Sequence, residues 1–377
     1  MENLLEKKQR YLSLDVLRGL TITLMIVVNN AGDWKAIYAP FEHSAWNGFT
    51  LTDLVFPTFL FVVGNAISFS MKNLDKSNSS DFLLKVLKRT LLIFFIGLCL
   101  NGFPYVSWVD KQLAFKNLAD IRIWGVLQRI ALCYGIASLL IYYFNSRVVI
   151  LLSVFILFGY WFIMYRFGTH PDPFSLANNA SAKLDALYLS VKNTYHGFGI
   201  PFDPEGLLST FPAIVNVIGG FFAGKFIQKS GNNLSTIKKL IAIGIAFTIA
   251  ALIWNIGFPI NKPIWTSSYV LCSIGIDLLL LALLMYIIEV LDFKKWTYFF
   301  AVFGRNPLFL YIISWILITL IYLIRINGVP LGSIIYKSIF LNIASGKNAS
   351  LIFALTYMLL IWPIGYYLDK KKIYVKV

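Results

Sequence analysis

Charge is scarce in this chain. Asp, Glu, Lys and Arg make up only 14% of its 377 residues, 58% are hydrophobic, and mean hydropathy is +0.72. A soluble domain carries about 25% charged residues, so the soluble globular class is excluded. Cysteine is scarce too. Cys99, Cys133 and Cys272 all lie inside apolar runs, which excludes a disulfide framework and leaves small buried packing groups. Histidine occurs only at 43, 170 and 196. Together with Asp172 and Asp203 these show no ligand spacing, so no metal is expected. Internal repeats, low-complexity tracts and the alternation of a β-barrel are all missing. Backbone groups in lipid must then be satisfied within helices. The net charge of +15 does not indicate nucleic acid, because the cations sit in short links between apolar runs, where they control topology.

Apolar runs of about 20 residues, enough to cross roughly 30 Å of hydrocarbon, recur along the chain. The expectation is an all-α integral membrane protein, one domain over 1–377, with about ten transmembrane helices. They fall near 12–31, 51–71, 83–103, 121–144, 147–167, 207–228, 235–256, 265–291, 298–326 and 348–368. The ninth is long for one span, so its first turns, near Tyr298 to Phe303, are expected in the interface. Lys7, Lys8 and Arg10 precede the first run as in a signal peptide. Asp15 and Arg18 interrupt that run and no small-x-small site follows, so the first helix is retained. Alternating the links puts most cations on one side, including Lys72, Lys76, Lys85, Lys88, Arg89, Lys225, Lys229, Lys238, Lys239 and Lys370 to Lys372. That side is the cytoplasm, giving an N-in/C-in chain. His43 and the loops 32–50 and 168–206 then face outward. The longer loop contains His170-Pro-Asp172-Pro and Gly197-Phe-Gly-Ile-Pro-Phe-Asp203-Pro-Glu205-Gly206, turn chemistry that builds an ordered binding mouth.

The densest chemistry is at the lip of the second span: His43, Trp46, Asn47 and Asp53, followed at once by an apolar run. A histidine can take and return a proton near neutral pH when a partner orients it. Charges inside spans cost at least about 2.5–3.5 kcal/mol each and must pair or line a wet cavity. Asp15 and Arg18 are spaced i, i+3 to pair on one helix. Asp53 and Arg129 share a depth and are expected to pair across helices. Asp277 has no evident partner. Asn29 and Asn30 end the first helix, one of them free for another role. Arg18 and Arg305, the latter beside Asn306, lie at the cytoplasmic level and suit a phosphate-bearing ligand or anionic lipid.

These motifs together resemble the heparan-α-glucosaminide N-acetyltransferase family of transmembrane acyltransferases. The resemblance runs through Ser13-Leu-Asp15-Val-Leu-Arg18-Gly19, Val28-Asn29, His43-Ser-Ala-Trp46-Asn47-Gly48, Asp53-Leu-Val-Phe-Pro57, Gly125-Val-Leu-Gln128-Arg129, Asp203-Pro-Glu205-Gly206, Ala223-Gly-Lys225, Asn261-Lys262-Pro-Ile-Trp265-Thr-Ser267-Ser-Tyr269 and Gly304-Arg-Asn306. It implies an acetyl group carried from cytosolic acetyl-CoA to a glucosamine-type amino sugar on the far side of the membrane. It implies that His43 is the active-site histidine and Asn29 the family's asparagine at the end of the first helix. It also implies a homodimer. The chain has Ser314 where the family suggests a histidine, and no outer cysteines for a luminal disulfide. A bacterial plasma-membrane homologue is the expectation.

The catalytic set expected on this basis is His43, Asn29 and Asp53. Asn29 or Asn47 would donate to the thioester oxygen as it becomes an oxyanion. Trp46, Asn47, Asp203, Glu205 and Trp265 would hold the acceptor. Arg18, Arg129, Arg305 and Asn306 would hold CoA, with membrane lipid around the spans and no nucleic-acid partner. A transporter or flippase for a sugar or lipid-linked sugar is the alternative, since many spans, buried charges and a wet cavity serve it equally.

Overall fold

The computed structural model describes residues 11–71 and 79–375; the cations Lys7, Lys8, Arg10, Lys72, Lys76 and Lys376 lie outside the described residues. The structure is a bundle of helices: α1 (Leu12–Val28), α2 (Leu51–Ser70), α3 (Ser79–Gly102), α4 (Val126–Tyr143), α5 (Ser146–Phe167), α6 (Ala180–Tyr188), α7 (Leu207–Ser230), α8 (Leu234–Trp254) and α9 (Ser267–Met285), then α10 (Thr297–Arg305), α11 (Pro307–Leu323), α12 (Leu331–Ile343) and α13 (Gly346–Lys370). Two antiparallel hairpins, β1 (Val106–Val109) with β2 (Gln112–Phe115) and β3 (Arg325–Ile326) with β4 (Val329–Pro330), decorate the loops.

Each expected run lies largely on helix, but the count differs. Among the described residues, seven helices are long and apolar enough to cross a membrane, eight if α10 and α11 form one span. α1 has only 17 residues, and α3 carries Lys85, Lys88 and Arg89 along its first half. The single ninth span is two helices bent by 85°. The cause is Asn306-Pro307: Asn306 leaves helical geometry (φ −130°, ψ 52°) and Pro307, lacking an N–H, takes the first position of α11. The apolar helices make this a multi-pass membrane protein.

Close crossings hold the bundle. A Cβ at Gly64 of α2 would collide with the Val217 carbonyl of α7, and one at Gly220 of α7 with the Phe61 carbonyl of α2. Gly19 of α1 and Gly304 of α10 press on Phe300 and Asp15 backbone in the same way. In lipid, helices associate through such small-residue contacts. The second crossing has a further effect, because each glycine adjoins an arginine, Arg18 or Arg305, and the two guanidiniums are brought together.

Asp15 and Arg18 lie 3.7 Å apart, as their spacing predicts. Asp277 does have a partner, the Thr58 hydroxyl at 2.5 Å, while its second oxygen has none among the described residues. Cys133 and Cys272 are buried; Cys99 is exposed, contrary to expectation, because its face of α3 points away from the bundle. The loop 168–206 is ordered around α6, and Phe174, Phe198 and Phe202 pack with Trp46 and Phe258 into a second apolar cluster.

Asp185 of α6 is fully buried there, accepting the Asp203 N–H and the Tyr188 hydroxyl. Burial raises its carboxyl to about 6, with the Asp203 charge acting the same way and the two hydrogen bonds opposing. The folded state therefore holds this proton more tightly than the unfolded chain, whose value is 3.8. Its contribution is fully present below that value and is lost as pH rises through about 6, a change of about 3 kcal/mol by linkage. Melting curves of wild type and Asp185→Asn across pH 3–8 test this. The wild type should lose stability relative to the variant as pH rises through that window, and a constant difference would refute the assignment.

Candidate active site

The first turn of α2 builds the site. Thr50 and Asp53 form a capping box: the Thr50 hydroxyl accepts the Asp53 N–H, and Asp53 Oδ2 accepts the Thr50 N–H at 3.1 Å. Oδ2 also accepts the Ser44 N–H at 3.1 Å and the Thr50 hydroxyl at 3.0 Å. With Oδ2 so occupied, Oδ1 is left for two further donors. His43 Nδ1 lies 2.7 Å from it, and Lys262 Nζ 3.6 Å. Four residues on, Pro57 has no N–H to offer the Asp53 carbonyl. Tyr269 of α9 supplies the missing donor, its hydroxyl 2.6 Å from that oxygen. Proline and tyrosine thus fix the turn that carries Asp53.

Asp53 is 1% exposed and the His43 side chain 55% exposed. A carboxylate at 2.7 Å requires the proton on Nδ1, so in the neutral ring Nε2 carries the lone pair, with no hydrogen-bond partner among the described residues. This is the geometry of a base oriented by a carboxylate. The loop bearing His43 is tied down from the α8–α9 link: Gly48 N–H donates to the Ile260 carbonyl at 2.9 Å, and Asn261 Nδ2 to Asn47 Oδ1 at 3.0 Å. Trp46 donates to the Phe174 carbonyl at 3.0 Å, anchoring the loop to the outer layer.

The other expected residues divide. Asp203 and Glu205 are gathered by Arg122, whose Nε and Nη2 reach Asp203 at 2.7 and 2.6 Å while Nη2 also contacts Glu205. Burial alone would weaken this guanidinium as a base; the two carboxylates outweigh it and raise its pKa. The expected Asp53–Arg129 pair is not formed. Asp53 binds His43 and Lys262, while Arg129, fully buried in α4, contacts Ser209, donates to the Gly206 carbonyl at 3.3 Å and stacks over Trp265 at 4.8 Å. Its Nε and Nη1 have no partner among the described residues. Depth matched but azimuth did not: the two side chains leave their helices toward different neighbours. Trp265 is 1% exposed and lies behind the site, donating to Asn216 Oδ1 at 3.0 Å. Asn29 caps α1 and is exposed, with no hydrogen bond to His43.

At the opposite end of α2 a cavity of about 360 Å³ opens between α1, α2, α3, α4 and the α10–α11 bend. Arg18, Arg89 and Arg305 line it with Tyr134, Phe59 and Leu308. Arg305 pairs with Asp369. Arg89 stacks on Tyr134 at 4.7 Å and meets no carboxylate among the described residues. Phe59, the uppermost α2 residue of the cavity, is six residues below Asp53, about 9 Å along the helix. Asn306 is not open to this cavity as expected. It is 1% exposed, and its amide is engaged by the C-terminal tail, donating to the Ile373 carbonyl at 3.0 Å and accepting the Val375 N–H at 2.8 Å. Val375 thereby sits on the cavity rim.

Residues 10–252 match the model of the heparan-alpha-glucosaminide N-acetyltransferase catalytic family. The chain belongs to this family. It is 27% identical over 358 residues to heparan-alpha-glucosaminide N-acetyltransferase from Mus musculus, covering 79% of this chain and 52% of that protein. The Homo sapiens protein of the same name is 27% identical over 363 residues, 80% of this chain and 52% of its own length. The chain thus spans about half the length of these relatives. The matched segment contains His43, Asp53, Arg89, Arg122 and Arg129, whereas Lys262 and Arg305 lie beyond it.

Sequence reasoning missed Lys262, Arg122, Arg89 and Tyr269. Arg89 reads as a topology cation near a short link, and Lys262 stands only inside the Asn261–Tyr269 motif of the resemblance, with no role attached. A signal for Tyr269 was available: Pro57 frees the Asp53 carbonyl, and a carbonyl freed in lipid needs a donor.

Proposed function

We propose that this chain is a transmembrane acetyltransferase of the plasma membrane, moving acetyl from cytosolic acetyl-CoA to a glucosamine-type amino sugar outside. The observation that carries this is the stacking of two sites along α2: an imidazole oriented by a buried carboxylate above, and a three-guanidinium cavity below. Membership of the family supports the same chemistry. Both chain termini are cytoplasmic and His43 faces outward.

The CoA phosphates dock on Arg18, Arg89 and Arg305, where planar forks match phosphate oxygens. Pantetheine is slender and rises between α2, α4 and α11 toward Asp53. The acceptor ammonium gives its proton to His43 Nε2, and the amine attacks the thioester carbonyl. The unpaired N–H groups of Arg129 or the amide of Asn29 stabilise the oxyanion. Glu205 and Trp46 hold the sugar. A larger cavity of about 560 Å³ lies near Lys225 and Lys229. It is lined by Ser68 and Met71 at the end of α2 and carries no guanidinium, so the three planar forks of the smaller cavity suit phosphate better.

Release of free thiol from acetyl-CoA by the purified protein with glucosamine tests the activity. Arg89→Ala and Arg305→Ala should each weaken acetyl-CoA binding about tenfold, with a flatter salt dependence than the wild type, and leave the acceptor KM unchanged. Thiol release that is absent with every amino sugar tried, combined with sugar movement across proteoliposomes, would replace the enzyme by the transporter.

A further inference from the structure

Among the described residues, Lys262 is the one cation that touches His43 itself. Its Nζ lies 3.2 Å from His43 Nδ1 and 3.6 Å from Asp53 Oδ1, while Nδ1 and Oδ1 are 2.7 Å apart. The three atoms form a triangle with one carboxylate oxygen serving two donors, the imidazole N–H and the ammonium. Nδ1 already donates to Oδ1, so Lys262 cannot donate to Nδ1 as well. Its contact with the ring is electrostatic, and it becomes repulsive when the ring is protonated. The neighbours are few. Asp53 faces His43 from α2 and Lys262 faces it from the α8–α9 link. Glu205, ahead of α7, and Arg129 of α4 act on Lys262 through space. Burial lowers the Lys262 pKa, and the Asp53 and Glu205 charges oppose that.

We propose that Lys262 is a positioning residue for His43: its ammonium shares Asp53 Oδ1 with the imidazole, opposes the imidazolium and keeps Nε2 free to take a proton. The inference rests on the acetyl-transfer reading. In that reaction the C–S bond of the thioester breaks and an N–C bond forms. The acceptor ammonium sheds two protons, one ending on the CoA sulfur and one in solvent by way of Nε2. Asp53 alone would stabilise the imidazolium and hold that proton, stalling the next turnover. Asp53 and Lys262 together present a nearly neutral pair, so the ring is oriented by the carboxylate without being trapped as the cation.

The test is the pH–rate profile of wild type, Lys262→Met and Lys262→Arg. Loss of the ammonium favours the protonated ring, so the acid limb of Lys262→Met should move to higher pH by about one unit, a tenfold lower rate at the acid end. Its high-pH plateau should stay within about threefold of wild type. Lys262→Arg keeps the charge and should hold the wild-type limb. A second readout needs no turnover. The other two histidines, His170 and His196, are exposed, and replacing both by Gln leaves His43 as a single histidine NMR signal whose titration midpoint can be followed. That midpoint should rise by about one unit in Lys262→Met. A rate falling uniformly at all pH with the midpoint unmoved would make Lys262 merely structural and overturn the proposal. So would Lys262→Arg shifting as far as Lys262→Met, since charge would not be the cause. If the wild type transfers no acetyl at all, the acetyl-transfer reading fails, and the NMR midpoint still decides whether Lys262 governs the protonation of His43.

Discussion

His43→Ala should lower acetyl-transfer turnover by 10²–10⁴-fold, the usual worth of general-base assistance (roughly two to four orders), and leave acetyl-CoA affinity within about twofold. The base acts in the transition state, and the guanidinium-lined cavity proposed for the donor lies at the other end of α2. Stability should hold as well. The ring is half exposed and belongs to a loop, so its removal leaves no core cavity. Turnover is measured with saturating acetyl-CoA and glucosamine, alongside isothermal titration of CoA and a melting curve. A variant retaining more than about a tenth of wild-type turnover would show that His43 is not the base.

Asp53→Asn should cost turnover on a comparable scale, about 10²-fold or more, and should cost stability too. The carboxylate accepts on both oxygens: three donors at Oδ2, and His43 with Lys262 at Oδ1. An amide can accept on one side only. If its oxygen faces the capping box, its NH₂ faces Nδ1 and forces the wrong tautomer. If its oxygen faces His43, its NH₂ confronts the Ser44 and Thr50 N–H groups. Either way a buried donor is left unsatisfied, at about 1–3 kcal/mol. The two variants therefore separate by melting temperature, His43→Ala unchanged and Asp53→Asn lowered. Retention of more than about a third of wild-type turnover by Asp53→Asn would remove the carboxylate from the mechanism.

The lip of α2 was legible because the sequence around it is so apolar. His43, Trp46, Asn47 and Asp53 stand out where charge is scarce, and the structure brings His43 and Asp53 together. The ends of most helices were legible from hydropathy. The α10–α11 break was only partly so, since the length of the run was visible but the turn at Asn306-Pro307 was hidden inside it. The partners of the buried charges were not legible. Position along a helix gives depth, yet pairing depends on rotation about the axis, so depth alone puts Asp53 with Arg129 and gives no sign of Lys262. Asn306 was misplaced for a related reason: an asparagine beside an arginine reads as part of a ligand site, and nothing in the sequence says that the tail comes back to occupy it.

The crossing of α1 and α10 bears on how variant data from this protein would be interpreted. Gly19 and Gly304 carry no charge and offer no side chain to a ligand, yet each adjoins an arginine of the cavity and each is pressed against the opposing backbone. A methyl group at either one forces the helices apart and separates the guanidiniums. In a saturation screen scored by affinity for the donor, alanine at these two glycines would look like a lost contact, when what is lost is the distance between two contacts.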